Sequence, residues 1–583
     1  MSETTLAPAL TVPALTSPDT YTDSLAAFVT ASPSSYHAAA EVAARLEAVG
    51  LTAVSETRPW GPGLPRRGYV VRDGAVAAWI LPEAPTQAAA AQGTSATPAG
   101  TPPTQGVPAG SAPADGTVPA GAAPTSSAPT QAPGASATDV AFRIVGAHTD
   151  SPALKLKPRA ALNRAGWQLV NAEVYGGPLE NSFLDRELGL AGRLTTRDGA
   201  THLVRTGPLA RVAQVAPHLD HSVHDALRLD RQAHLLPLWS LAQDEGAELG
   251  PDAVERYLCE VAGIDFADLA GHDVLTYPTE APARFGRRGE FLASARLDNL
   301  SSVHAALVAL EALAGVPAGD GAPAGVARDG ALAEAASGVS GRAAAPDSPD
   351  RDGTLTAGGG VPAGVASGGV PAGDGVPAGD GVPASGGALA VGGGTTRPGA
   401  VLPVSPRDAV VLVAFDHEEV GSETRSGAAG PFLSTLLERL GAAMGYTGDA
   451  YAALLARSSC VSADAGHSVH PNYAGLHDPA VRPLVNHGPL LKINARQRYA
   501  TDAPGQALWA RACAAAQVPS QDFVSNNAVP CGTTIGPLTA TRLGVTTVDV
   551  GVPLLSMHSQ REMCGIWDGM WMSRALAAYW LGA

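Results

Sequence analysis

The chain has 583 residues, a formal net charge of −16 and 5% aromatic residues. That acidity argues against nucleic acid as a partner, and no apolar run reaches the ~20 residues of a membrane helix, so no membrane span is expected. Five scattered cysteines (Cys259, Cys460, Cys513, Cys531, Cys564) form no CxxC pair, and the N-terminus lacks a signal's basic start and apolar core; both fit the cytoplasm better than a disulfide framework.

Residues 20–50 carry helical spacing, with Leu25, Phe28 and then Ala38 to Leu46 before Gly50. Residues 68–72 and 76–82 read as short strands. Residues 84–137 are almost entirely Ala, Pro, Gly, Thr, Ser and Gln, so disorder is the expectation there. A strand over 140–145 runs into Gly146-Ala147-His148-Thr149-Asp150. Residues 155–285 change texture: alternating segments at Trp167–Val174 and His202–Arg205 predict β-structure, and 251–261 a helix. Ala295-Arg296-Leu297-Asp298-Asn299 then leads into a helix with Leu300, Val303, Leu307, Leu310 and Leu313 on one face. A second low-complexity tract covers 315–405, with Gly-Val-Pro-Ala-Gly at 360–364, 369–373 and 375–379. Beyond it come a strand over 409–415, a helix over 431–443, a strand over 458–464 and a helix over 503–516. Strands near 521–525 and 545–550 and a helix over 566–581 complete the chain. This order predicts an α/β fold. A catalytic domain in two parts, 18–153 and 289–583, is interrupted by an inserted β-rich domain at 154–288, with both tracts as loops.

The segment Phe415-Asp416-His417-Glu418-Glu419-Val420-Gly421-Ser422 follows the apolar run Val410–Ala414. Carboxylates avoid dry interiors unless a cation holds them. A metal ion explains both glutamates, one as ligand and the other acting on water. His148 with Asp150, Asp298, Asp464 and His558 stand at other strand ends or in the loops after them, where α/β sheets gather ligands. The mix of nitrogen and oxygen donors suits zinc or a similar divalent ion. Two ions need a bridging carboxylate; two His, two Asp and one Glu meet that need and leave one Glu free to move protons. Asp150 is placed to hold the second ring nitrogen of His148. Taken singly, each has a plainer reading: Asp298 as a helix N-cap, the glutamate pair as solvated, His558 as a loop residue.

Seven ordered blocks carry a resemblance. They are Gly146-Ala147-His148-Thr149-Asp150-Ser151-Pro152, Leu297-Asp298-Asn299-Leu300, and Asp416-His417-Glu418-Glu419-Val420-Gly421-Ser422. Next come Ser462-Ala463-Asp464 with His467 to Tyr473, Asn494-x-Arg496-Gln497-Arg498-Tyr499-Ala500 and Pro530 to Pro537. The last is Ser556-Met557-His558-Ser559-x-Arg561-Glu562. The chain, outside its two tracts, resembles the aspartyl aminopeptidases, dinuclear zinc exopeptidases acting on N-terminal Asp or Glu. The resemblance implies that Asp298 bridges two zinc ions. His148 and Asp464 complete one site, Glu419 and His558 the other, and Glu418 is the general base. It implies that Lys492 recognises the substrate's acidic side chain, with Tyr499 beside it; read alone, Lys492 is equally a surface lysine in a strand. It also implies a three-layer sandwich, an oligomerisation role for 154–288 and a dodecamer. In that assembly His218, or another of the four histidines at 218–234, reaches a neighbouring active site. His467 and His470 match positions near the metals or serve as loop hydrogen-bonders. Two departures stand out: Ala528 where the family often has an acidic residue, and no tryptophans after Gly176-Gly177-Pro178. Two other readings remain: the same site with neutral-residue specificity, and a binding or scaffold protein on this fold.

Overall fold

Along the strand Ala409–Phe415 all seven side chains are buried. Val410, Leu412 and Ala414 join one hydrophobic cluster, while Ala409, Val411, Val413 and Phe415 join another. A strand apolar on both faces must be covered on both, and this one is. In the computed structural model, which describes residues 13–83, 140–244, 247–315 and 406–583, helices Pro18–Ala31, Ser35–Ala48, Leu297–Ala314, Ala503–Ala516 and Asp568–Trp580 pack into the first cluster. Helices Phe432–Ala443, Asp449–Arg457 and Ile535–Leu543 pack into the second. The result is the expected three-layer α/β arrangement. The expectation of disorder falls outside the described residues, apart from Gly315.

The central sheet has nine strands, in the order 52–53, 67–72, 75–80, 409–415, 142–148, 459–463, 546–551, 490–492 and 521–523. Strand Phe142–His148 is flanked on both sides by parallel partners, Ala409–Phe415 and Ser459–Ala463. The chain leaves it in one direction and later returns on the other. Such a switch point opens a crevice at the carboxyl ends of the strands.

Residues 153–278 supply a second sheet of seven strands. Pairing of Leu269–Pro278 with Glu187–Thr196 closes it on itself, so only the short strand Thr201–Arg205 lies outside the ring. Helix Ala253–Ala262 contributes Val254, Leu258 and Cys259 to its core. A five-stranded sheet joins Ala283–Phe285 and Phe291–Ser294 to strands from the C-terminal part.

The helical spacing over 20–50 is two helices, not one. Pro33 lacks a donor, and Ser34 caps the second helix by accepting from the His37 N–H. The strand expected over 140–145 runs on to His148, which makes that histidine the strand's last residue. Among the described residues, no helix is long and apolar enough to cross a membrane.

Candidate metal centre

Three neighbouring parallel strands end at the crevice, and each delivers side chains to it. His148 ends one; Glu418 and Glu419 sit in a 3-10 turn after the second; Asp464 follows the third. Asp298 enters from the start of helix Leu297–Ala314, where it and Asn299 depart from helical dihedrals. His558 comes from the loop after strand Pro553–Leu555.

Asp298 lies between the two imidazoles. Its Oδ1 is 3.4 Å from His148 Nε2, and its Oδ2 is 3.6 Å from His558 Nε2. Asp464 Oδ1 is 3.4 Å from His148 Nε2, and Glu419 Oε2 is 3.6 Å from His558 Nε2. Glu418 Oε2 stands on the His148 side, at 3.9 Å. These spacings are long for hydrogen bonds. Two donors on one tetrahedral zinc at 2.0–2.1 Å stand about 3.3–3.4 Å apart; the His148 pairs match this at 3.4 Å and the His558 pairs are slightly wider at 3.6 Å. Asp298 Oδ1 and Glu419 Oε1 are buried without a hydrogen-bond partner, a costly state for carboxylate oxygens that a cation would relieve. The residues therefore fit zinc. Among the described residues, His148, Asp298 and Glu419 place donor atoms within 4.8 Å of one another.

The electrostatics follow from this crowding. Burial pushes Glu418 up to about 7; His148 opposes, while Asp464, Asp150 and Asp298 add to the rise. Glu419 is also raised well above its ordinary value, first by burial. Burial depresses His558, but Asp298 and Glu419 outweigh it and lift the ring to about 10. Asp298 goes the other way: burial raises it, and the two imidazoles pull it down.

A layer of residues behind these donors fixes them. Asp150 does more than hold a ring. Its Oδ1 lies 3.3 Å from His148 Nδ1 and accepts the Glu418 N–H at 3.0 Å; its Oδ2 accepts the Glu419 N–H at 3.1 Å and the Tyr175 hydroxyl at 2.8 Å. Glu562 accepts the Asp298 N–H at 2.9 Å on one oxygen and the His558 N–H at 2.7 Å on the other. Burial and Asp298 push it up to about 8. Asn299 donates to the Ala463 carbonyl at 2.9 Å and accepts the Ala465 N–H at 3.2 Å, bracing both sides of Asp464. Arg296 Nη2 donates to the Thr149 carbonyl at 2.7 Å. Arg296, His417, Ser422, Ser556 and His558 all have positive φ between 58° and 66°, each at a cost on the order of 1 kcal/mol or more. Glu562, Asn299, Arg296 and Tyr175 had no role in the sequence reading. The available signal was proximity in sequence: three of them lie within four residues of a proposed ligand.

Lys492 is buried, with Nζ donating to the Ala465 carbonyl at 2.6 Å and to Asp464 Oδ2 at 3.2 Å. It is not a surface lysine. The Tyr499 ring centroid lies 5.4 Å from its Nζ. Burial lowers the pKa of His467, and the nearby charges of Lys492 and His558 lower it further, while Asp298 opposes them. His470 is a loop hydrogen-bonder, its Nδ1 accepting the Asn472 N–H. His218 is not brought to the cluster; it lies in the exposed stretch 213–220, and among the described residues no hydrogen bond or ion pair links it to the donors.

Comparison with known proteins places the chain in one family. The family described as aminopeptidase I zinc metalloprotease (M18) matches residues 132–316 and 404–580. A probable M18 family aminopeptidase 2 of Streptomyces coelicolor is 38% identical over 561 residues, 96% of this chain and 97% of its own. The M18 aminopeptidase of Thermotoga maritima superposes with a TM-score of 0.65 at 18% identity, covering 97% of this chain and 96% of its own. The mApe1 dodecamer of S. cerevisiae gives 0.62 at 19%, covering 96% of each chain.

Proposed function

This chain belongs to the M18 family of zinc aminopeptidases, and on that footing we propose that it removes N-terminal Asp and Glu from peptides with the help of two divalent ions. His148, Asp464 and one oxygen of Asp298 would hold the first ion; His558, Glu419 and the other oxygen of Asp298 would hold the second. When bound, zinc supplies Lewis acidity, polarising the scissile carbonyl and making water a better acid. Glu418 takes the proton of the attacking water and returns it to the departing amine. Asp150 and Glu562 hold the donors by their backbones. Lys492 pairs with the substrate's first carboxylate, with Tyr499 packed beside it.

The observation that carries the dinuclear reading is the division of Asp298 between two imidazoles, at 3.4 and 3.6 Å. Zinc titration of the chelated protein tests it. Two equivalents per chain are expected, with D298N weakening both; a single equivalent in the wild type would refute the pair.

A second reading, preference for neutral first residues, draws on the engagement of Lys492 with Asp464 and Ala465. A lysine already paired offers less to a substrate carboxylate. Cleavage of Asp-, Glu-, Leu- and Lys-aminoacyl amides separates the two. Acidic preference, lost in K492A, supports the first; Leu preference untouched by K492A supports the second.

Assembly into a homo-oligomer through 154–288, with His218 reaching a neighbour's site, belongs to the same proposal. Its support is the exposure of Leu219 (83%) and Val215 beside that histidine and the dodecamer formed by the S. cerevisiae neighbour. Sedimentation of the wild type and L219D reads the mass directly; a monomeric wild type would end this part of the proposal. Five free cysteines, four of them buried, support a reducing compartment, the cytoplasm.

A further inference from the structure

Asp549 is a fully buried carboxylate that the chemistry above does not use. It lies in strand Thr546–Gly551, paired in register with Ser462, two residues before Asp464. Its Oδ1 accepts the Thr534 hydroxyl at 2.6 Å and its Oδ2 accepts the Ala500 N–H at 2.6 Å. Its own N–H donates to Thr501 Oγ1 at 2.9 Å. Thr534 caps helix Ile535–Leu543, accepting the Gly536 N–H. The helix packs so close that a Cβ on Gly536 would strike both Asp549 oxygens. A carboxylate at a helix N-terminus is favourably placed, and a buried charge is tolerable when hydrogen-bonded in this way.

The segments it joins converge on Lys492 and Tyr499. Ala500 is the residue after Tyr499, whose ring faces Lys492. Cys531, three residues before Thr534, packs against the cluster of Leu490, Tyr499 and Phe523. Burial raises the Asp549 carboxyl, and the nearby Lys492 charge is among the smaller influences that pull it down.

We propose that Asp549 is a positioning residue for substrate selection: it clamps the 494–501 turn to the 530–534 loop so that Tyr499 and Lys492 present a fixed face to the first side chain of the peptide. This rests on the reading of Lys492 as the acid-recognising residue. An Asn at this position keeps the shape but turns one acceptor into a donor, so either the Ala500 N–H or the Thr534 hydroxyl proton loses its acceptor. No proposed metal donor is touched.

The test is steady-state kinetics of D549N and T534V on Asp- and Leu-aminoacyl amides, with zinc content measured alongside. In D549N, KM for the Asp substrate is expected to rise about tenfold with kcat little changed, the loss of one hydrogen bond to a charged group. Turnover of the Leu substrate and zinc content are expected to hold, so the Asp-to-Leu preference falls about tenfold. T534V removes the bond to Asp549 together with the cap on the Gly536 N–H; it shifts the preference the same way by roughly threefold and decides the matter if D549N does not fold. A wild type that favours Asp, with both variants keeping that preference or losing both substrates equally, overturns this inference alone. A wild type that favours Leu overturns the acidic reading and this inference with it.

Discussion

Glu562 shows how much of this site depends on residues that meet no substrate. One carboxylate receives the backbone N–H groups of Asp298 and His558, which lie 260 residues apart in the chain (558 − 298). A glutamine can accept only one of them. E562Q is therefore expected to lower zinc affinity by about 10- to 100-fold, the usual effect of losing a support behind a metal ligand. Competition with a chelator measures it; unchanged affinity would mean that Glu562 does not orient the pair. The proposed donors were legible in the sequence because charged side chains at the ends of apolar strands demand a reason. Tyr175 and Asn299 were not. A tyrosine hydroxyl or an asparagine amide looks alike in any loop, and only the fold brings Tyr175 to Asp150 or sets Asn299 across the Asp464 segment. Lys492 was ambiguous for a related reason: a lone lysine in a short strand carries no sign of burial, which here comes with a place between two other strands of the nine-stranded sheet.

At the scale of elements, close packing sets the strand ends. A Cβ on Gly551 would run into the Asp464 carbonyl. G551A is expected to push Asp464 out of place and to cost one zinc equivalent while far-UV circular dichroism stays the same; full zinc loading would show that the strand can give way. Charge sets the junction with the closed sheet. Asp73, in the turn between strands Arg67–Arg72 and Ala75–Ile80, pairs with Arg193 and Arg425, each at 2.7 Å; Arg193 also reaches Asp273 at 2.9 Å. Burial raises Asp73, but hydrogen bonds from Arg425 and Arg193 outweigh it and hold the carboxyl below its ordinary 3.8. A carboxyl held down stabilises the fold above its ordinary value and gives that up as the pH falls through its folded value. The junction should therefore weaken below about pH 4. R193A is expected to lose about 2 kcal/mol at pH 7 in urea unfolding and to decline less steeply than the wild type between pH 5 and 3, two arbitrary points spanning the ordinary carboxylate range. Equal slopes would remove Asp73 as the cause. Periodicity disclosed most of the long helices and several strands, since apolar spacing is local; helices Asp449–Arg457 and Ile535–Leu543 and the strands Ala153–Arg164, Glu187–Thr196 and Leu269–Pro278 were not read from it. The closure of residues 153–278 into a ring was not disclosed, because pairing between Glu187–Thr196 and Leu269–Pro278 leaves no mark in either strand alone.

Across the whole molecule, the proposed donors divide unevenly along the chain. His148 and Asp298 precede residues 316–405; Glu418, Glu419, Asp464 and His558 follow them. The core divides in the same place. Helix Leu297–Ala314, with 17 buried residues, ends one part, and the wholly buried strand Ala409–Phe415 begins the other. Neither part can cover its apolar surface alone. Co-expressed as separate polypeptides, one ending at Gly315 and one starting at Pro406, they are expected to copurify and to regain zinc-dependent cleavage that each lacks. Failure to copurify would show that the covalent link is needed for folding. Success would mean that a protease nick between them leaves a working enzyme, and that the pair can serve as a split reporter whose signal requires both pieces to meet.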